Sequence, residues 1–369
     1  MGNEKLKKVA KALQGKTAKI VNYSLFELGR NALHKVQDML RTVVQAACES
    51  TSVEVEAELS GGPSADDIRF HLDGKVKLAA VVGMMRDRLR WMIRILVRKF
   101  GNCLFDTAID CTDEMYYGEL DNPYVVGTKP QAGTSYAHKY LTMSIVMSGC
   151  RYFLFSFPIF ERGNLLYYLN KAILFSRELG IRIRYLFVDR EFETTDILAF
   201  LKDEKILFVM PKDHDSKFNR LVAEVKAFPA VFNGWQTQNK DGETVETDLI
   251  VLEKMVQRKD GTVEKQHHGF FTNLPRKFYE EDPEKIAELY RKRWGIETSH
   301  RCEDEFRIKS TSKNGIVRYL YFLIGVLVYN LWVYLNLQLC VDVENFRIQV
   351  KKDVMKHVLR VIFDESRLW

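Results

Sequence analysis

PEKIAELYRKRWGIETSHRCEDEFRIK, running from Pro283 to Lys309, opens with a proline at a first helical position and meets no glycine before Gly295. This is the signature of a helix start, and the stretch is read as one helix continuing toward residue 305. At about 100° per residue, Tyr290, Arg293 and Glu297 fall within roughly 60° of one another, a stripe that combines a phenol, a guanidinium and a carboxylate. Asp304 returns to nearly the same line but lies roughly 10 Å further along the axis, too far for it and Glu297 to act at one centre. Arg301 sits one turn beyond Glu297 on the same stripe. By spacing alone the stripe is either a working surface or a solvated face with i,i+4 pairing.

Working outward, Ile183 to Val188 is a short apolar strand with Asp189 at its carboxyl end. In an α/β sheet ligands bind just beyond that end, although a lone Asp there also serves as a turn or cap residue. Thr194 or Thr195 N-caps the helix that follows. Upstream, strand-like runs cover Leu104–Ile109, Lys139–Met147 and Tyr152–Phe157, and a helix from about Asn164 to Leu179 ends at Gly180. Asp106 and Asp110 share a face of the first strand about 13 Å apart, at about 3.3 Å per residue, so only one of them can serve a given centre. Downstream, Ile206–Met210 is a strand. The polar stretch from about 212 to 275 holds the runs Asp248–Val256 and Thr262–Phe271, joined at Lys259-Asp260-Gly261, a hairpin signal.

Tyr290, Arg293 and Glu297, at spacings of three and four, resemble the Tyr-Arg-Glu-Lys signature of the DDE transposases of prokaryotic insertion sequences. VDREFETTDILAFL around Asp189 is similar to the second catalytic segment of that family. Asp110, followed by Thr112 and Tyr116-Tyr117-Gly118, is similar to the first, and this context selects Asp110 over Asp106. One element departs: the family's Lys falls on Asp304 here, and Arg301 is the candidate substitute. The resemblance implies an α/β fold built on a ribonuclease H-like mixed sheet with flanking helices and a β-rich insertion. It implies a catalytic, metal-holding triad of Asp110, Asp189 and Glu297, with Tyr290, Arg293 and Arg301 toward DNA. The implied cofactor is Mg²⁺, two ions, with Mn²⁺ able to substitute. The implied partner is double-stranded DNA at transposon ends and target, bound as a homodimer. A nuclease of the same fold and a catalytically silent DNA-binding derivative are the alternative functions.

Residues 1 to 100 read as helical. Around Gly61-Gly62-Pro63 the segment SVEVEAELSGGPSADDIRFHLDG is either a helix-turn-helix or a plain helical hairpin, with Ser64 as a cap. In the helix from Lys75 to Phe100, Arg86, Arg90, Arg94 and Arg98 recur every four residues. They form a candidate phosphate-contacting edge or a solvated outer face. The expected organisation is a helical DNA-binding region over 1–100, a catalytic core over 101–212 and 276–338, the insertion over 213–275 and a basic helical tail over 339–369.

The 369 residues suit two or more folding units. Fifty-five Lys and Arg against 49 Asp and Glu leave a net charge of +6, the sign a nucleic-acid binder needs. Six cysteines without a CxxC pair or Cys/His ligand spacing indicate neither a zinc site nor a disulfide framework, which fits a reducing cytoplasm. The N-terminus lacks the apolar core of a secretory signal. Tyr319–Leu335, apolar apart from Asn330, is either a membrane span or a helix buried on every side. The latter is expected, because it is short and stands alone.

Overall fold

Four helices come first: α1 (Val36–Cys48), α2 (Val53–Ser60), α3 (Ala65–Leu72) and α4 (Leu78–Phe100). The computed structural model describes residues 34–101, 103–239, 241–258, 260–294, 305–340 and 346–365. Ser52 caps α2 by accepting from Val55 N–H, and Ser64 caps α3 by accepting from Asp67 N–H. Between them the chain turns at Gly61, whose φ of +61° is the left-handed conformation that glycine enters without a Cβ penalty.

The sheet begins with β1 (Leu104–Met115), followed by β2 (Val126–Gln131), β3 (Thr134–Met147), β4 (Cys150–Ile159), helix α5 (Leu165–Glu178) and β5 (Arg182–Val188). Helix α6 (Thr195–Asp203), with Thr194 as its cap, leads into β6 (Phe208–Pro211). β1 is buried from Phe105 to Asp110, because it has a strand on each edge and cover on both faces. It pairs antiparallel with β3 and parallel with β5, and β5 pairs parallel with β6. β2 and β4 both pair with β3, β2 at its beginning and β4 along the rest. The order β4-β3-β1-β5-β6 is the ribonuclease H-like mixed sheet that the sequence leads one to expect.

The polar stretch after β6 folds as α7 (Ser216–Glu224), β7 (Ala230–Gln238), β8 (Thr244–Gln257) and β9 (Val263–Thr272). The β8–β9 hairpin was legible at Asp260-Gly261; α7, short but amphipathic through Phe218, Leu221 and Val222, and β7 were not read from the sequence. β9 pairs antiparallel with β6, Met210 opposite Phe271, so these strands extend the same sheet. Helix α8 (Glu284–Trp294) then lays Ile286, Leu289 and Tyr290 over Ala108, Phe187 and Phe270. The expected continuation of this helix to residue 305 falls mostly outside the described residues. At Glu305–Phe306 the chain is in a turn, and Lys309 bridges to Ser52.

Helix α9 (Gly315–Leu339) is, among the described residues, the one helix long and apolar enough to cross a membrane, with a mean hydropathy of 1.7. It is a core helix instead, packed against α1, α4 and β4. Its polar groups are paired inside the protein: Tyr319 Oη donates to Ser156 C=O at 2.9 Å, and Trp332 Nε1 donates to Val350 C=O at 2.7 Å. Gly325 lets the 305–309 segment approach, since a Cβ there would lie 2.6 Å from Phe306 O. The final helix, α10 (Lys352–Glu365), packs on α1.

One buried histidine makes the fold acid-sensitive. His138 on β3 is 1 % exposed, with Nδ1 2.9 Å from Tyr124 O and no hydrogen bond at Nε2 among the described residues. Burial, reinforced by Arg318, pushes its pKa from 6.5 down to about 4. Below 6.5 the unfolded chain binds a proton that the folded chain refuses, so stability should fall as pH drops from 6.5 toward 4. Denaturant melts across that window should show a shallower decline in His138→Asn than in the wild type. Parallel curves would remove His138 as the cause.

Candidate functional site

The two sequence-nominated aspartates meet because of sheet register. Ile109 of β1 is paired in parallel with Val188 of β5, so Asp110 and Asp189 occupy the next position along neighbouring strands. Side chains alternate along a strand, so Asp110 lies on the face of Ala108, and Asp189 follows Phe187 onto that same face, the one α8 covers. Asp189 also begins a short 3-10 turn, Arg190–Phe192, which leads the chain away from the sheet.

Arg293 closes the arrangement from above. One of its nitrogens, Nη2, lies 3.2 Å from Asp110 Oδ1 and 3.1 Å from Asp189 Oδ1. Its other terminal nitrogen donates to Tyr290 Oη at 2.9 Å, and that hydroxyl donates to Val188 C=O at 3.2 Å. Burial alone would lower the pKa of Arg293, but Asp110, Tyr290 and Asp189 outweigh it and hold the guanidinium well above its ordinary value. Tyr290 is 4 % exposed, and burial raises its pKa. The expected DNA-facing pair is therefore turned inward here, because Tyr290 belongs to the apolar face of α8 and carries Arg293 with it onto the carboxylates.

Asp106, four residues before Asp110, is engaged elsewhere. Arg184 holds it in a two-pronged pair at 2.6 and 2.8 Å, and Lys292 approaches to 3.6 Å. Two cations near the site were not singled out from sequence. Arg151, 2 % exposed on β4, lies 3.6 Å from Asp110 Oδ2; its signal was a lone charge within the apolar run CRYFLFSFPI. Lys139, 4 % exposed on β3, pairs with Asp113 at 2.9 Å and Glu191 at 3.0 Å. A cleft of about 990 Å³ opens beside Asp189 and Arg293, lined also by Asp113, Lys139, Glu191 and Glu193. Burial raises the pKa of Glu193, against the pull of Lys212.

A metal would fit the aspartate pair. Asp110 and Asp189 are hard anionic ligands, and both already turn toward one cationic atom, as they would toward a divalent ion. Glu297, Arg301 and Asp304 lie outside the described residues. Arg86 and Arg90 do not stand free on α4: both reach Glu178 at the end of α5, at 2.9 and 3.4 Å, because both helices pack on β4. Arg94, on the same stripe, is exposed.

Residues 165–331 match the family model described as "Transposase DDE domain". The match includes Asp189, Tyr290, Arg293 and Glu297, and Asp110 precedes it. A solved structure, "Cryo-EM structure of piggyBac transposase synaptic complex with hairpin DNA (SNHP)", superposes with a TM-score of 0.54 at 13% identity, covering 99% of this chain and 79% of that one. The likeness is one of fold. No curated protein sequence is a significant match to the chain.

Proposed function

We propose that this protein is a DNA transposase that cleaves the ends of its own mobile element and joins them to a target. The observation that carries the reading is the convergence of Asp110 and Asp189 on a single cationic nitrogen, at the position where parallel strands β1 and β5 end together. The match of residues 165–331 to a transposase DDE domain supports it. Such domains use divalent metal ions, and Mg²⁺, replaceable by Mn²⁺, is the proposed cofactor. Held by Asp110 and Asp189, with Glu297 as the proposed third ligand, such ions would supply stabilisation of the charge that builds on the entering and leaving oxygens of an in-line displacement at phosphorus.

The residues of this chain would act as follows. Asp110 and Asp189 bind, and Glu297 is the proposed third carboxylate. Arg293 neutralises the aspartate pair, and Tyr290 fixes where its guanidinium sits. Arg301 and Arg94 are proposed contacts to DNA phosphates. Arg86 and Arg90 were expected in the same role, and they would have to exchange Glu178 for phosphate to fill it. A homodimer holding two element ends is part of the proposal.

The test is incubation with duplexes carrying the inverted repeats that flank the gene. Metal-dependent 3′-hydroxyl ends and joined products are expected. Cleavage without joining would favour a nuclease of the same fold, and binding with neither would favour a silent derivative. Because Arg293 competes for the position a metal would take, Arg293→Gln should bind Mn²⁺ several-fold more tightly by calorimetry. Affinity equal to or below that of the wild type would show that Arg293 is no competitor.

A further inference from the structure

The reaction centre is rich in carboxylates, which attract metal but repel the phosphates of the very strand to be cut. Beside Asp189, Asp113, Glu191 and Glu193, the cleft also carries Asp196, Asp213 and Asp215, seven acids against the four cations Lys129, Lys139, Arg190 and Arg293 that line it. A DNA strand entering it needs its flanking phosphates neutralised close by.

A second cleft, of about 480 Å³, lies on the other side of Arg190, between α7 and the first half of β9. Arg190 lines both clefts and directly follows Asp189 in the chain. The second cleft is lined by Arg190, Lys265, His214, His267 and His268, with Phe218 on its wall, and among the described residues no carboxylate lines it. Carboxylates sit at its margins: Asp213 lies 3.9 Å from Arg190, Glu253 pairs with Lys265 at 3.0 Å and His267 at 3.3 Å, Glu264 accepts from Gln266 at 2.8 Å, and Asp215 accepts from Phe218 N–H at 2.7 Å. The His214 ring packs 5.2 Å from Phe218 and 6.5 Å from His268, so imidazoles and an aromatic face share one wall.

We propose that this cleft is a binding groove for the DNA strand leaving the Asp110–Asp189 centre, taking its phosphodiester backbone against Arg190, Lys265 and the histidines. The inference rests on the transposase reading and adds a location to it. Polar donors and cations next to an apolar wall suit a nucleotide, whose phosphate and base need both. Among the described residues only Arg190 lines both the groove and the acidic cleft, so the strand would pass from the aspartate centre to protein-held phosphate within one residue of Asp189.

The electrostatics support the assignment. His214 faces Arg190, Lys212, His267 and Asp213, while His268 faces His214, Lys254, Arg190 and His267. Burial first, then these neighbouring cations, hold both histidines below their ordinary pKa. A phosphate placed among them reverses the repulsion, so binding would take up protons and strengthen as pH falls.

The experiment is fluorescence anisotropy with a duplex carrying a single-stranded extension, read at pH 8 and pH 6 with the full-length protein. Wild type should bind on the order of tenfold more tightly at pH 6. His214→Asn/His268→Asn should bind more weakly and lose most of that pH dependence. Asn219→Glu, on the exposed side of α7, should weaken binding without touching the fold, and thermal melting of each variant checks this. If the double variant keeps wild-type affinity and pH dependence, or Asn219→Glu binds as wild type, the groove carries no DNA. Should wild type cut end DNA while these variants bind unchanged, the groove fails and the transposase reading survives. Should wild type neither bind nor cut, both fall.

Discussion

Asp110→Ala and Asp189→Ala should each abolish metal-dependent cleavage of end DNA, by on the order of 10³-fold or more, while leaving end binding within a few-fold of wild type. The magnitude follows from removing a group that acts on charge formed only in the transition state, where even one hydrogen-bond donor is worth roughly 10²–10³ in rate. Binding survives because it rests on phosphate contacts distributed over other surfaces. Each substitution also leaves Arg293 with one aspartate where it had two. The variants should therefore be checked for folding by near-ultraviolet circular dichroism before activity is compared. Asp106→Asn is the informative contrast. Asp106 is another buried acid on this face of β1, but Arg184 occupies it. That variant should lose stability and retain cleavage by the protein that folds. Cleavage lost in Asp106→Asn and retained in Asp110→Ala would transfer the catalytic assignment from one residue to the other.

The largest expected loss of stability from a single near-isosteric change is at Asn330→Leu. The β3–β4 pairing slips between Met143 and Ser144: Met143 faces Phe155 and Ser144 faces Phe153, leaving Leu154 as the extra residue of a bulge. Asn330, fully buried on α9, accepts from Phe153 N–H at 2.9 Å and donates to Phe153 C=O at 2.8 Å. Leucine supplies neither bond. It strands the amide in an apolar interior, a loss of about 1–3 kcal/mol for that group alone, and removes one bond from the carbonyl. Thermal or urea unfolding should show a clearly lowered midpoint. A midpoint equal to wild type would mean that the bulge relaxes and finds other partners.

Much of the secondary structure was legible because it is written in local phase. The strand before Asp189, the threonine cap of α6, the glycine after α5, the serine cap of α3 and the Asp260-Gly261 turn depend on neighbours within a few residues, and the chain displays those directly. Phase also aligned Tyr290 with Arg293 on one stripe of α8.

What phase leaves open is which way such a stripe faces and what it meets. Tyr290 and Arg293 were expected toward DNA. The sheet instead draws the apolar side of α8 inward, and Arg293 settles on two aspartates that are 79 residues apart in sequence. Arg86 and Arg90 form a regular basic row in the sequence, yet only helix packing reveals that Glu178 meets them both. The apolar run around Asn330 has the composition of a membrane span, and only its partners on α1, α4 and β4 make it a core helix. In each case the deciding interaction joins residues far apart in the chain. Its geometry is set by strand register and helix packing, as when Ile109 pairs with Val188 and so brings Asp110 beside Asp189. Sequence by itself named the residues able to do chemistry; the register of β1 against β5 decided which of them share a site.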